Sequence, residues 1–223
     1  MKKDDKKMRS GRESIITIIY RPLAESITRI LVKTSITPNQ ITTIGIFISL
    51  IAGFLFALGE WKYLIIGAVL TQLVLISDML DGKVARYKRL GTAFGEWYDG
   101  IANKIFKYIL FLGATIGAYR VSGDPLILIV GAVAIFNMTM IAFILSFKQF
   151  FDFSKGHTEL PRIKGLEIPY GLLTLVGLSI FALLNIMSVY LWLFATLGTF
   201  AWIKQIHSCY KLSKRNKKVT ISS

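Results

Sequence analysis

Cysteine and histidine are nearly absent from these 223 residues: there is one cysteine, Cys209, and two histidines, His157 and His207. A single cysteine excludes an intrachain disulfide, and the histidines have no partner at ligand spacing, so a zinc centre is disfavoured. The histidines read as residues of the membrane interface and Cys209 as a bystander at a helix end. Acidic side chains are also scarce, 13 against 27 lysines and arginines, for a formal net charge of +14. Polar surface is short as well: 53% of residues are hydrophobic and the mean hydropathy is +0.55, too apolar for a water-exposed domain of this length. No composition shift marks off a soluble domain, and no internal repeat of the kind found in many transporters is present. A cleavable leader is not expected, because the first apolar stretch follows a basic arm and is broken by Arg21, Pro22, Glu25 and Arg29.

What the chain does have is a succession of apolar runs. Residues 1–12 read as a basic arm on an anionic membrane surface, with Ser10 and Glu13 in the form of a capping box. Over 13–36, Ile15, Ile16, Ile19, Leu23, Ile27, Ile30 and Leu31 recur at helical spacing with Thr17, Arg21, Glu25 and Arg29 elsewhere, which predicts an amphipathic helix lying in the interface, kinked at Pro22. After the break at Thr37-Pro38-Asn39, six spanning helices are expected: 41–58, 64–89, 94–118, 126–147, 168–186 and 189–206. The expected fold is therefore all-α and integral to the membrane, a six-transmembrane-helix bundle over 37–207 behind an interfacial helix, with a basic tail at 208–223.

Basic residues set the orientation. Of the 27 lysines and arginines, only Lys62 and Arg120 fall in the connections after the first, third and fifth spans. Retention of positive loops then predicts that both termini are cytoplasmic, in the cell membrane if the source is prokaryotic. Because the charge is spread along one membrane face, nucleic acid is not an expected partner; anionic membrane lipid is.

Against this background the stretch SDMLDGKVARYKRLGTAFGEWYDGIANK, residues 77–104, is unusual. Asp78 and Asp81 are three apart and share a helix face with Gly82 and Ala85; Asp99 and Asn103 are four apart and share a face of the next span. An antiparallel hairpin of these two helices would turn both sets into one carboxylate cage. An ionised aspartate at the centre of a span costs about 2.5–3.5 kcal/mol, so three of them need a counter-charge or a water-filled cavity. Gly82, Ala85, Gly91, Gly95, Gly100 and Ala102 strip bulk from the surroundings, as close approach of a ligand or helix requires. Carboxylate oxygens suit hard divalent cations such as Mg²⁺ or Mn²⁺, and such a cluster near a cytoplasmic opening points to metal-assisted phosphoryl chemistry.

The pattern Asp78-x-x-Asp81-Gly82-x-x-Ala85-Arg86, eight residues, then Gly95-x-x-x-Asp99-x-x-x-Asn103 resembles the signature of the CDP-alcohol phosphotransferase family, DxxDGxxAR followed by GxxxDxxxD. Every fixed position but the last matches. The resemblance implies an enzyme that cleaves the pyrophosphate of a CDP-linked donor, releases CMP and passes the phosphoalcohol group to an alcohol. It also implies that Asp78, Asp81 and Asp99 hold one or two Mg²⁺ or Mn²⁺ ions. Asp78, Gly82, Ala85, Arg86 and Gly95 would bind the nucleotide, and a homodimer is expected. The donor would be CDP-diacylglycerol or a soluble CDP-alcohol; the signature does not distinguish them.

The mismatch falls on the residue that, by the same resemblance, takes the proton of the acceptor hydroxyl. A carboxamide has no useful proton affinity near neutral pH, so Asn103 cannot be that base. A natural variant and an engineered replacement are both open, and Asn103→Asp is expected to raise CMP release several-fold. Glu96, at i−3 from Asp99 and i−7 from Asn103, is the candidate substitute; its bland alternative is a solvated carboxylate at the helix entrance. Lys155, Arg162 and Lys164 are candidates for a phosphorylated acceptor, against the alternative of ordinary positive-inside charge. Two further readings stand beside the enzyme: a catalytically inactive CDP-nucleotide or lipid-binding relative, and a cation transporter.

Overall fold

The computed structural model describes residues 15–150, 162–163, 166–167 and 170–221. Among them are seven helices: α1 (Ile15–Leu31), α2 (Pro38–Leu58), α3 (Trp61–Lys88), α4 (Ala93–Ser122), α5 (Leu126–Phe150), α6 (Tyr170–Leu183) and α7 (Met187–Ile221). Two residues each of β1 (Arg162–Ile163) and β2 (Leu166–Glu167) pair antiparallel between α5 and α6. The basic arm and the Ser10 capping box lie outside the described residues.

Local sequence explains the ends of these elements. Thr37 caps α2 by accepting from the Gln40 backbone N–H at 3.3 Å, while the Gln40 side chain accepts from the Thr37 N–H at 2.8 Å, and Pro38 opens the helix. Gly59 ends α2 in the left-handed conformation that glycine adopts without strain. Thr92 caps α4 through the Gly95 N–H. The last helix runs on to Ile221, so the 208–221 part of the expected tail continues the helix.

Among the described residues five helices, not six, are long and apolar enough to cross a membrane: α2, α3, α4, α5 and α7. The fifth expected span corresponds to α6, which has 14 residues and so falls short of the roughly 20 a full crossing takes. At 28 and 30 residues α3 and α4 are about 42 and 45 Å long, well beyond a hydrocarbon core of about 30 Å. The acids lie in the last eleven residues of α3 and the first seven of α4, so the excess length carries them toward one membrane face.

The expected α3–α4 hairpin is modified by α2, which packs against both partners. Small residues permit this: a side chain at Gly45 would meet Ser77 of α3 and Phe106 of α4, and one at Gly53 would come within 2.8 Å of the Ile109 carbonyl oxygen. Further along, Phe56, Leu110, Phe111, Leu178 and Leu191 form a common core. Helix α1 lays Ala24 and Thr28 on α3 while Ile19, Leu23 and Ile30 stay exposed, an apolar stripe suited to lipid. On its polar side the Arg21 guanidinium, 2.9 Å from Glu25, holds that carboxyl below the ordinary carboxylate range. Tyr20 reaches from α1 to Gln72 of α3, whose amide donates at 2.6 Å to Ser179 of α6.

A second polar knot joins α5 to α7. Asn137, 1% exposed, donates to the Ala195 carbonyl at 2.6 Å and accepts from Trp202 Nε1 at 2.9 Å and Thr199 at 3.2 Å. Replacing it with leucine strands these partners away from water, where an unsatisfied buried group costs about 1–3 kcal/mol. Asn137→Leu is therefore expected to lower the melting temperature in detergent; an unchanged melt would show that the knot contributes nothing.

Candidate active site

The C-terminal part of α3, the N-terminal part of α4 and the first turns of α2 enclose a cleft of about 570 Å³. Asp81, Gly82, Ala85 and Arg86 form one wall, Gly95, Glu96 and Asp99 the other, Pro38, Asn39 and Thr42 the third, with 90–93 at the turn. Asp81 is only 4% exposed, and its Oδ2 accepts the Thr42 hydroxyl at 2.7 Å. That bond, with one from the Gly82 backbone N–H to Oδ1 at 2.5 Å, gives each oxygen of this buried carboxylate a donor.

Asp78 and Asn103 are not among the residues that line this cleft. The Asn103 amide nitrogen donates to Asp78 Oδ1 across the helix gap and to Asp99 Oδ1, one turn away on α4, at 3.1 Å. Such an orientation is the only one that attracts, since the amide oxygen would repel both acids. Helix α4 carries one more charged residue on this face: Lys107, four residues beyond Asn103 and half-buried, acts electrostatically on Asp78.

Charge and space agree around the rest of the cleft. Arg86 projects along the α3 wall, where a side chain at Gly82 would touch its guanidinium at 3.5 Å. At Gly95 a side chain would crowd Thr92 Oγ1 at 3.1 Å and Asn39 Oδ1 at 3.2 Å, so glycine keeps the α2 and α4 walls close. Glu96 is exposed on the cleft wall, in the first turn of α4, where a carboxylate also complements the helix dipole. Tyr98 and Thr43 share a hydroxyl–hydroxyl bond of 2.9 Å that ties α4 to α2.

An all-oxygen set of this kind fits a hard divalent ion by donor chemistry. Among the described residues, no three histidine, cysteine, aspartate or glutamate side chains are gathered closely enough to hold an ion as they stand. Asp78 and Asp99 are instead spanned by the Asn103 amide, while Asp81 and Asp99 both open onto the cleft. Two hydrogen-bond donors thus occupy the position where a cation would relieve repulsion between Asp78 and Asp99.

Asp78, Asp81, Asp99, Glu96 and their small neighbours were legible as helix faces; Asn39, Thr42 and Lys107 were not singled out. Asn39, Thr42 and Thr43 are a polar stripe at i, i+3 and i+4 in an otherwise apolar run, a signal that could have found the third wall. Lys107 continues the Asp99, Asn103 series at i+4. Of the candidate acceptor residues, Lys155 and Lys164 lie outside the described residues, as does His157, and Arg162 is described only as the backbone of β1.

Comparison with known proteins is consistent with this arrangement. A family model for CDP-alcohol phosphatidyltransferase matches residues 35–205. A phosphatidylinositol phosphate synthase of Corynebacterium glutamicum is 36% identical over 89 residues, a match that spans 40% of each chain. Another, from Mycobacterium bovis, is 27% identical over 203 residues, 86% of this chain and 87% of the relative. In three dimensions the chain is similar to Mycobacterium tuberculosis phosphatidylinositol phosphate synthase crystallised with CDP-DAG bound: TM-score 0.66, 22% identity, covering 85% of this chain and 94% of that one. The same synthase in complex with manganese and citrate gives a TM-score of 0.64 at 23% identity, covering 84% and 88%. At these identities the likeness is one of fold.

Proposed function

This chain belongs to the CDP-alcohol phosphatidyltransferase family, a family of membrane-embedded transferases of phospholipid biosynthesis, and on that premise we propose that it moves the phosphatidyl group of CDP-diacylglycerol to a hydroxyl of an inositol phosphate, slowly. The observation that carries this reading is the cleft itself, in which Asp81 and Asp99 face each other across a space kept open by Gly82, Ala85 and Gly95. The named donor and acceptor follow the relatives that cover most of the chain.

In the proposed reaction the acceptor oxygen attacks the phosphorus that bears the diacylglycerol. A new P–O bond forms, the bond from that phosphorus to the oxygen of CMP breaks, and the hydroxyl proton must be taken up. The carboxylates Asp78, Asp81 and Asp99 are where Mg²⁺ or Mn²⁺ would be held. When bound, such an ion neutralises the pyrophosphate and the departing CMP oxygen. Thr42 keeps Asp81 aimed into the cleft. Gly82, Ala85 and Gly95 make room for the nucleotide, and Arg86 offers its phosphates a fixed positive charge. Asn103 has no basic site for the proton, so Glu96, on the same cleft wall, is the proposed acceptor of it. Lys155, Arg162 and Lys164 are proposed to meet the acceptor phosphate. A cytoplasmic opening and a homodimer complete the proposal.

The test is CMP release by the purified full-length protein given CDP-diacylglycerol, Mn²⁺ and an inositol phosphate, with a soluble CDP-alcohol as the alternative donor. Acceptor-dependent release is expected, and Glu96→Gln is expected to lower it at least tenfold, since a positioned base contributes about 10²-fold or more. Nucleotide binding with no release from any donor would favour the second reading that Asn103 motivates, a binding relative without turnover.

A further inference from the structure

Resting on the reading of the cleft as a CDP site, we infer that Lys88 is a positioning residue for donor binding: from outside the cleft, its ammonium fixes the α2 wall against the α3 wall at the spacing the nucleotide needs.

The contact is a pair of charge-assisted hydrogen bonds. Lys88 Nζ donates to the backbone carbonyl of Thr34 at 2.6 Å and to that of Ile36 at 2.7 Å, 54 and 52 residues earlier in the chain. Thr34 and Ile36 lie in the turn between α1 and α2, where carbonyls have no helical partner and need a donor from elsewhere. An ammonium carries three donors and no acceptor, so one half-buried lysine can serve both carbonyls and still face water. Lys88 is not among the residues that line the cleft, in contrast to Arg86 two positions earlier.

Chain connectivity turns this contact into a constraint on the site. Ala85 and Arg86 of the α3 wall stand three and two positions before Lys88, and Pro38 and Asn39 of the α2 wall stand two and three positions after Ile36. Both flanks are stiff: α3 is helical up to Lys88 and is closed by Arg89 in the left-handed conformation, while Pro38 opens α2 behind the Thr37 cap. A shift at the tie is therefore passed to both walls. Inside the site α2 is also held by Thr42 on Asp81 and by Thr43 on Tyr98. The bond to Asp81 ends on a carboxylate that a cation would claim. The Lys88 tie ends on carbonyls of residues that do not line the cleft, so it persists whatever the cleft holds.

Calorimetry of CDP binding to the purified full-length protein with Mn²⁺ tests this, alongside CMP release from CDP-diacylglycerol. Lys88→Met keeps the stem and removes the donors. It is expected to raise the CDP Kd and the donor KM about tenfold, the equivalent of about 1.4 kcal/mol, with kcat changed less than about threefold because no reacting group is touched. Lys88→Arg, which restores charge and donors, should bring both constants within about threefold of the parent. Lys33→Met removes the same charge from the same turn at an exposed position and should leave them within about twofold. A monodisperse Lys88→Met that melts earlier yet binds CDP like the parent would reduce the contact to a structural one and overturn the inference. Equal losses in Lys88→Met and Lys33→Met, or no recovery in Lys88→Arg, would overturn it too. Should Lys88→Met not fold, Lys88→Gln, which keeps an amide donor for one carbonyl, carries the same test: an intermediate loss of CDP affinity supports the inference and parental affinity overturns it. A parent chain that binds no CDP would instead overturn the reading of the cleft, and the inference with it.

Discussion

Asn103→Asp raises CMP release several-fold, short of the ~10²-fold or more that a positioned general base contributes. The gain is limited because Glu96, on the cleft wall, already takes the proton in the proposed reaction. The substitution also removes the amide that spans Asp78 and Asp99 and puts a third acid between them, which favours capture of metal over the present hydrogen-bonded arrangement. Both consequences act in the same direction. Initial rates of CMP release at saturating Mn²⁺ and CDP-diacylglycerol measure the effect. Equal rates for the two forms would mean that position 103 is not where the proton goes.

Gly117→Leu prevents stable folding. A side chain at this position would overlap the carbonyl oxygen of Phe56, so the obstacle is the backbone of α2 and no rotamer can relieve it. The same crossing has Gly113 of α4 against the backbone of Gly53, so α2 and α4 touch along two successive turns where neither has a side chain to yield. Forcing the helices apart there also opens the packing around Phe56, Leu110 and Phe111. Overpacking of this kind costs about 3 kcal/mol, a large share of the stability of an ordinary protein. Fluorescence-detected size exclusion after a heat ramp should show loss of the monodisperse peak at much lower temperature than the parent. Gly100→Ala, inside α4 with open space around it and ordinary helical backbone, serves as the mild comparison.

The acids illustrate how far local reading reaches. The period of an α-helix is enough to assign Asp78 with Asp81, and Asp99 with Asn103, to common faces, because only residues three to seven apart are involved. It is also enough to mark Glu96 as a neighbour of Asp99. The same period could not reveal that Thr42, 39 residues before Asp81, supplies its hydrogen bond. Nor could it reveal that the Asn103 amide bridges two acids instead of leaving a gap between them. Length misled in one place: the apolar run ahead of Ile186 reads as a full span, yet α6 is a 14-residue helix packed on α3 through Ser179 and Gln72.

Hydropathy and short-range spacing were therefore sufficient to assign a helical membrane protein, two acid-bearing helix faces and the family signature with its one departure. All of these depend on residues close together in the chain, where helical geometry alone sets neighbours. The insertion of α2 between α3 and α4, the third wall of the cleft with Asn39 and Thr42, and the bridging of Asp78 and Asp99 by the Asn103 amide were decided in three dimensions. Those features depend on which helices can approach most closely, and that follows from matching small residues such as Gly45, Gly53, Gly113 and Gly117 across dozens of intervening positions.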